Sequence, residues 1–197
     1  YAQYKDNKPD DAYSTINRFI KTFPTHKHAD YAYYLRGLIN FDRTGGLIER
    51  YLQRGNSAST RRDQGFNLTA FDDFSQLTRR YPNSAYATDA RQRMIFLRNQ
   101  LARFEVNVAE YYLRTKAYIA SADRAQYVVE HYQQSPETAD ALAILTRSYI
   151  ALDRKPLADQ TRQVLALNYP DHPYLTDPNW PHHPSIWRKA IPFSGHH

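Results

Sequence analysis

Four stretches of this chain end alike, and that recurrence limits the possible fold more than any other feature. Phe23-Pro24, Tyr81-Pro82, Tyr132 and Tyr169-Pro170 each close a segment with a small residue eleven positions earlier, at Ala12, Ala70, Ser121 and Ala158. Seven residues after each small residue stands an apolar one: Phe19, Leu77, Val128 and Leu165. The position four residues after it holds Ile16, Phe74 and Ala125 and is broken by Arg162. Spacings of 4, 7 and 11 fall on one face of an α-helix, and a following proline stops it. Upstream of the last two segments the pattern extends into a partner helix, with Val108-Ala109 before Tyr112 and Leu145-Thr146 before Tyr149. Small residues at Ala109 and Thr146 suit a crossing where two helix backbones approach closely. The repeating unit is therefore a helix–turn–helix of tetratricopeptide type, and the fold expected is an all-α solenoid.

Glycine and proline divide the chain. Four of the six glycines (Gly45, Gly46, Gly55, Gly65) lie in the polar stretch 42–65, read as a mobile insertion in a repeat domain spanning 1–170. It lacks the Gly-Lys-Ser/Thr of a nucleotide site. Six of the eleven prolines fall within the last 28 residues, so 171–197 is expected to be an extended Pro-rich tail that wraps back or docks a partner through Trp180 and Trp187. Its Ser-Gly-His-His end, with His196 and His197, reads as the stub of an expression tag. Between Asn83 and Ser135 there is neither glycine nor proline. There Tyr86, Ala90, Met94, Leu97, Leu101, Phe104, Val108 and Tyr112 form one apolar stripe, which predicts a long helix around 84–116, on the order of 50 Å. Pro9-Asp10-Asp11 and Pro156 fit helix first turns, while Asn83-Ser84 and Ser135-Pro136-Glu137 fit caps.

Catalytic chemistry finds little footing. The chain has no cysteine, which excludes disulfides and thiolate chemistry. No G-x-S-x-G, H-E-x-x-H or phosphate-cradling loop is present. His26-x-His28 and His182-His183 are read as surface polarity or as metal ligands wanting a third partner. Asp10-Asp11 and Asp72-Asp73 read as solvated or capping pairs. Asn67-Leu68-Thr69 matches a glycosylation acceptor by chance at a helix start. Lys and Arg exceed Asp and Glu by 26 − 20 = 6, which permits an acidic partner, nucleic acid or an anionic membrane surface, yet the longest basic runs are pairs. Tyr31-Ala32-Tyr33-Tyr34 cannot bury every ring on one face, so one of Tyr31, Tyr33 and Tyr34 is either groove-lining or simply half-buried. Arg91, Arg98 and Arg103 lie beside the stripe of the long helix, as a solvated face or as a docking surface for an acidic domain.

The Tyr31–Phe41 stretch with Leu35-Arg36-Gly37-Leu38, then Ala70-Phe71-Asp72-Asp73-Phe74 through Arg80-Tyr81-Pro82-Asn83-Ser84, then Val108-Ala109-Glu110-Tyr111-Tyr112, resembles the BamD family of outer-membrane β-barrel assembly lipoproteins. The order of segments matches from Tyr1 to about Tyr169. The resemblance implies a non-enzymatic periplasmic scaffold without cofactors, held to the outer membrane only by a lipidated N-terminal Cys. It implies binding to POTRA domains of a BamA-type barrel protein, contact with other assembly lipoproteins and receipt of unfolded outer-membrane proteins, with no nucleic-acid partner. The C-terminal repeats would face the barrel protein; the N-terminal ones, Tyr31, Tyr33, Tyr34 and Arg36 among them, would form the groove for substrate signals. Arg124 aligns with an Arg used by the family at the barrel-protein interface, with a pair to Asp140 as the internal alternative. Two departures stand out. The lipidated Cys and about the first repeat are lacking, and the opening Tyr1-Ala2-Gln3-Tyr4 has no initiator Met or leader, which reads as a fragment. The tail runs past the family's last helix. From another class, the alternative is a tetratricopeptide adaptor of a cell-wall enzyme complex or a peptidoglycan-associated factor.

Overall fold

The computed structural model describes residues 1–43, 61–177 and 180–181, with 61–63 as backbone only. Most of the insertion, together with Trp187, His182-His183 and His196-His197, lies outside the described residues. Within them the chain is helical without a strand: α1 (Ala2–Lys5), α2 (Pro9–Thr22), α3 (Ala29–Arg43), α4 (Arg61–Arg80), α5 (Ala87–Arg114), α6 (Tyr118–His131), α7 (Thr138–Ala151) and α8 (Lys155–Asn168). Each helix packs on the next in sequence, and α5 also touches α7. That is the neighbour-to-neighbour arrangement of a repeat solenoid.

The repeat signature has a clear physical content. Ala12, Ala70, Ser121 and Ala158 are all buried, at 5%, 0%, 0% and 4% exposure. Each closing aromatic caps its helix through one bond, from Phe23, Tyr81, Tyr132 and Tyr169 N–H to the carbonyls of Phe19, Leu77, Val128 and Leu165, each 2.8 Å. Three residues later a side chain accepts a backbone N–H two positions on. His26 Nδ1 takes His28 N–H, Ser84 Oγ takes Tyr86 N–H, Ser135 Oγ takes Glu137 N–H and His172 Nδ1 takes Tyr174 N–H. The short turns inside the repeats agree as well. Asn7, Lys116 and Asp153 have φ of 56°, 62° and 54°, each five residues before the small residue, closing the preceding helix as a left-handed C-cap.

The core is built in two parts that α5 joins. Its first half contributes Ala90 and Leu97 to a cluster with Phe41, Phe74 and Leu77; its second contributes Ala102, Val106 and Ala109 to a cluster with Ala125, Val128 and Ile144. The long helix is 28 residues, about 42 Å rather than 50. Its apolar stripe is not continuous as expected. Phe104 and Val108 are only half-buried, while Ala102, Val106 and Ala109 are buried, about a third of a turn further round. The buried face rotates because the helix leaves α4 for α6 and α7 midway.

The edges of the insertion are corrected too. Asp42 and Arg43 complete α3, and α4 begins at Arg61, so Asn67 lies inside the helix and is buried. After α8, Pro173–Leu175 forms a single 3-10 turn where the next repeat's first helix would begin. Beyond it, the Trp180 ring meets His172 edge-on at 4.8 Å, and the Trp180 carbonyl accepts Arg147 Nη1–H.

Candidate protein-binding surfaces

On the N-terminal repeats, the aromatic run of α3 divides by face. Tyr33 is buried at 4%, with the Arg36 and Arg80 guanidinium groups 5.1 and 5.4 Å from its ring centre. Tyr34 is half-buried, stacks on Tyr86 at 4.9 Å and donates its hydroxyl to Asp89 at 2.7 Å. Tyr31 is half-buried against the same Tyr86 ring at 5.3 Å. Burial raises the hydroxyl pKa of Tyr31 and of Tyr34, the latter also through its bond to Asp89. Burial opposes the Asp89 charge, but Tyr34 and Arg93 outweigh it and hold the carboxyl below its ordinary value. Tyr31, Tyr34 and Tyr86 therefore form a partly open aromatic surface between α3 and the start of α5. Tyr86 and Arg93 were not singled out for it, because Tyr86 reads as stripe core and Arg93 as one more charge.

Arg36, expected in the groove, is engaged by its neighbours in the repeats. Its Nε lies 2.6 Å from Asp73 Oδ1, its Nη1 donates to Asn17 at 2.9 Å and its Nη2 to Gln76 at 3.1 Å. Asn40 Nδ2 donates to the other Asp73 oxygen at 2.8 Å. One guanidinium thus ties α2, α3 and α4. Asp73, read as a solvated acid, is 2% exposed, and burial pushes its carboxyl up to about 6 against the opposing pull of Arg36 and Asn40.

His26 and His28 sit in the turn between α2 and α3. Both are exposed with rings 5.5 Å apart, and His26 Nδ1 is occupied by the His28 N–H. Among the described residues no group of three metal-ligating side chains comes together.

On the C-terminal repeats, Tyr112, Ala120, Asp123, Arg124 and Tyr127 line an open concavity of about 360 Å³ between the end of α5 and the outer face of α6. Arg124 Nη1 pairs with Glu105 Oε2 at 3.0 Å and not with Asp140, which instead bonds His172 Nε2 at 2.9 Å. With 45% of its side chain exposed, Arg124 still presents charge to solvent. Tyr127 stacks on His131 at 4.2 Å, and Ile119 and Tyr111 stand 67% and 54% exposed nearby in sequence. Such aromatic and Arg side chains, held by neighbours yet open on one side, are what protein interfaces use as anchors. Tyr127 and Ile119 carry no sequence signal, because a lone exposed apolar side chain has no signature.

The remaining arginines of α5 separate by partner. Arg98 donates to the Gln134 side chain and carbonyl at 2.7 and 3.0 Å, and Arg103 Nη2 reaches Glu137 at 2.8 Å, so both fasten α5 to the turn before α7. Arg91 is exposed and bonds the Pro82 carbonyl at 3.2 Å.

A stack of helical hairpins, each packed on the next, defines a repeat solenoid of tetratricopeptide type. The chain belongs to the YfiO family of outer membrane lipoproteins, whose family model matches residues 1–177. It is 48% identical to outer membrane protein assembly factor BamD of Xylella fastidiosa strain Temecula1 over 99% of this chain and 66% of that protein. Against BamD of Neisseria meningitidis serogroup B the identity is 41%, over 90% of this chain and 66% of the relative. BamD of Vibrio cholerae is 34% identical over 85% of the chain. The chain thus spans about two thirds of the length of these relatives. None of its described helices is long and apolar enough to cross a membrane.

Proposed function

We propose that this chain is a non-enzymatic scaffold in outer-membrane protein assembly, which binds POTRA domains of a BamA-type barrel protein through the C-terminal repeats. The observation that carries the reading is the Arg124 concavity. A half-exposed guanidinium, oriented by Glu105 and flanked by Tyr112 and Tyr127, offers a charged centre within an aromatic rim. Kinship with assembly factors supports the choice of partner. The Tyr31–Tyr34–Tyr86 surface is the place for unfolded outer-membrane proteins, since aromatic faces contact extended peptide at low entropic cost. Exposed Arg91 is a contact for other assembly lipoproteins, whereas Arg98 and Arg103 act through the repeat stacking they maintain. The full protein is placed at the periplasmic face of the outer membrane by a lipid anchor. Binding by a preorganised surface, with no bond made or broken, is the whole mechanism.

The test is affinity capture from envelope extract on the immobilised chain. The expected catch is a β-barrel protein bearing POTRA domains, lost with Arg124→Glu. Recovery of murein hydrolases in its place would assign the chain to cell-wall metabolism.

A further inference from the structure

The repeats allow equivalent positions to be compared for charge. In the twelve residues from five before each closing aromatic to six after it, repeats one and two (18–29 and 76–87) hold five cations and no acid. The same windows of repeats three and four (127–138 and 164–175) hold no Lys or Arg and three acids, Glu130, Glu137 and Asp171. Basic residues at helix C-termini complement the helix dipole. That alone does not explain the asymmetry, because all four helices end with the same capping bond.

The structure places the cations of both N-terminal windows on one edge. Arg18, Lys21, Lys27, Arg79 and Arg80 are exposed, and the two turns adjoin through the Tyr81 hydroxyl donating to the Pro24 carbonyl at 3.3 Å. Among the described residues, Arg18, Lys21, Lys27 and Arg79 make no ion pair. The nearby carboxylates are engaged elsewhere, Asp30 by the Ser84 hydroxyl at 2.7 Å and Asp89 by Tyr34 and Arg93. Phe23 stands 53% exposed at the centre of the edge, whereas its equivalents Tyr81, Tyr132 and Tyr169 are half-buried.

We propose that this edge, the ends of α2 and α4 with their turns, lies against an anionic phospholipid surface as a second membrane contact beside a lipid anchor. Unpaired cations around an exposed aromatic suit a layer of anionic headgroups over hydrocarbon. A single acyl chain binds a membrane only marginally, and one chain plus a polybasic patch gives stable attachment. In a family described as outer membrane lipoproteins, such a patch both strengthens attachment and fixes which side of the solenoid faces the bilayer.

Co-sedimentation of the whole 197-residue chain with vesicles of equimolar phosphatidylglycerol and phosphatidylcholine tests this, pure phosphatidylcholine being the reference. Each cation near an anionic surface is worth about fivefold in partitioning. Binding is expected on the anionic vesicles alone, weakening as salt rises. It should fall on the order of a hundredfold in Lys21→Gln/Lys27→Gln/Arg79→Gln. The charge-matched variant Arg114→Gln/Arg154→Gln/Lys155→Gln should lose little. Equal retention on both vesicle types, or an equal loss in the two variants, would overturn the proposal. So would edge-dependent binding to polyglutamate with no binding to anionic vesicles, which would make the face an acidic-protein site.

Discussion

Repeats one and two and repeats three and four share a backbone plan and differ in nearly everything hung on it. The N-terminal core is aromatic. Phe41 and Phe74 meet at 6.4 Å, Phe74 and Tyr34 at 6.1 Å, and Gly37 has no room for a Cβ, which would sit 2.6 Å from the Phe74 ring. The C-terminal core is aliphatic, with Ala102, Ala109, Ala122, Ala125 and Ala141 packed among Val106, Val128, Ile144 and Leu145. There Ser121 donates to the Ala109 carbonyl at 2.9 Å, and Ser148 of the next repeat lies 3.0 Å from its hydroxyl. The outer surfaces diverge in step, with cations at the N-terminal turns and acids at the C-terminal ones. One scaffold thus carries two chemically distinct ends, kept in fixed relation by α5.

The comparison breaks most visibly at Phe74. Phe74→Ala is expected to cost about 3–5 kcal/mol, read as a fall in the thermal midpoint. Hydrogen exchange should then quicken in α3 and α4 well before α7, as nearest-neighbour stability requires. Equal acceleration throughout would show a single cooperative core. Gly37→Ala should cost about 1–3 kcal/mol by overpacking, and combining it with Phe74→Leu should recover part of the loss. On the C-terminal side, Ser121→Ala should cost only about 1 kcal/mol in chemical denaturation, because a hydrogen bond is removed and no cavity opens. The smallest effect is expected at the left-handed cap: Lys116→Gly should leave the denaturation midpoint unchanged or raise it by a few tenths of a kcal/mol, about the relief glycine gives there.

A pH experiment sharpens the contrast without altering the core. Asp73 holds its proton to about pH 6 in the fold, whereas in the unfolded chain it is lost near the ordinary aspartate value of 3.8. Between those limits the folded state binds more protons, so this group's contribution to stability falls as pH rises and levels off above about 6. Thermal midpoints compared with Asp73→Asn across that window should show the slope in the parent and its loss in the variant. An identical slope in both would assign it to other groups.

The scaffold was readable because its rules are local. A small residue, an apolar one seven later and an aromatic at eleven describe one helix face, and the structure buries all four small residues. What could not be read depends on contacts across repeats. Nothing near Arg36 in sequence shows that Asp73 and Asn17 will close around it. The stripe of α5 looked continuous because regular spacing fits a helix with one neighbour, and this helix changes neighbours midway. The cationic edge is hidden by distance along the chain, since the turns after Lys21 and Arg79 adjoin only once two repeats stack. For His26 the spacing leaves surface polarity and a ligand role both open, since its bond to the His28 backbone is invisible until the turn forms.

The division of labour between the two ends is tested most directly by calorimetric titration of isolated POTRA domains into the parent chain, into Arg124→Glu and into Lys21→Gln/Lys27→Gln/Arg79→Gln. Reversing a desolvated interfacial charge should weaken binding by at least about tenfold, while the N-terminal substitutions should leave the affinity within about twofold. An Arg124→Glu chain that binds as tightly as the parent, or an N-terminal variant that loses affinity to the same degree, would contradict it.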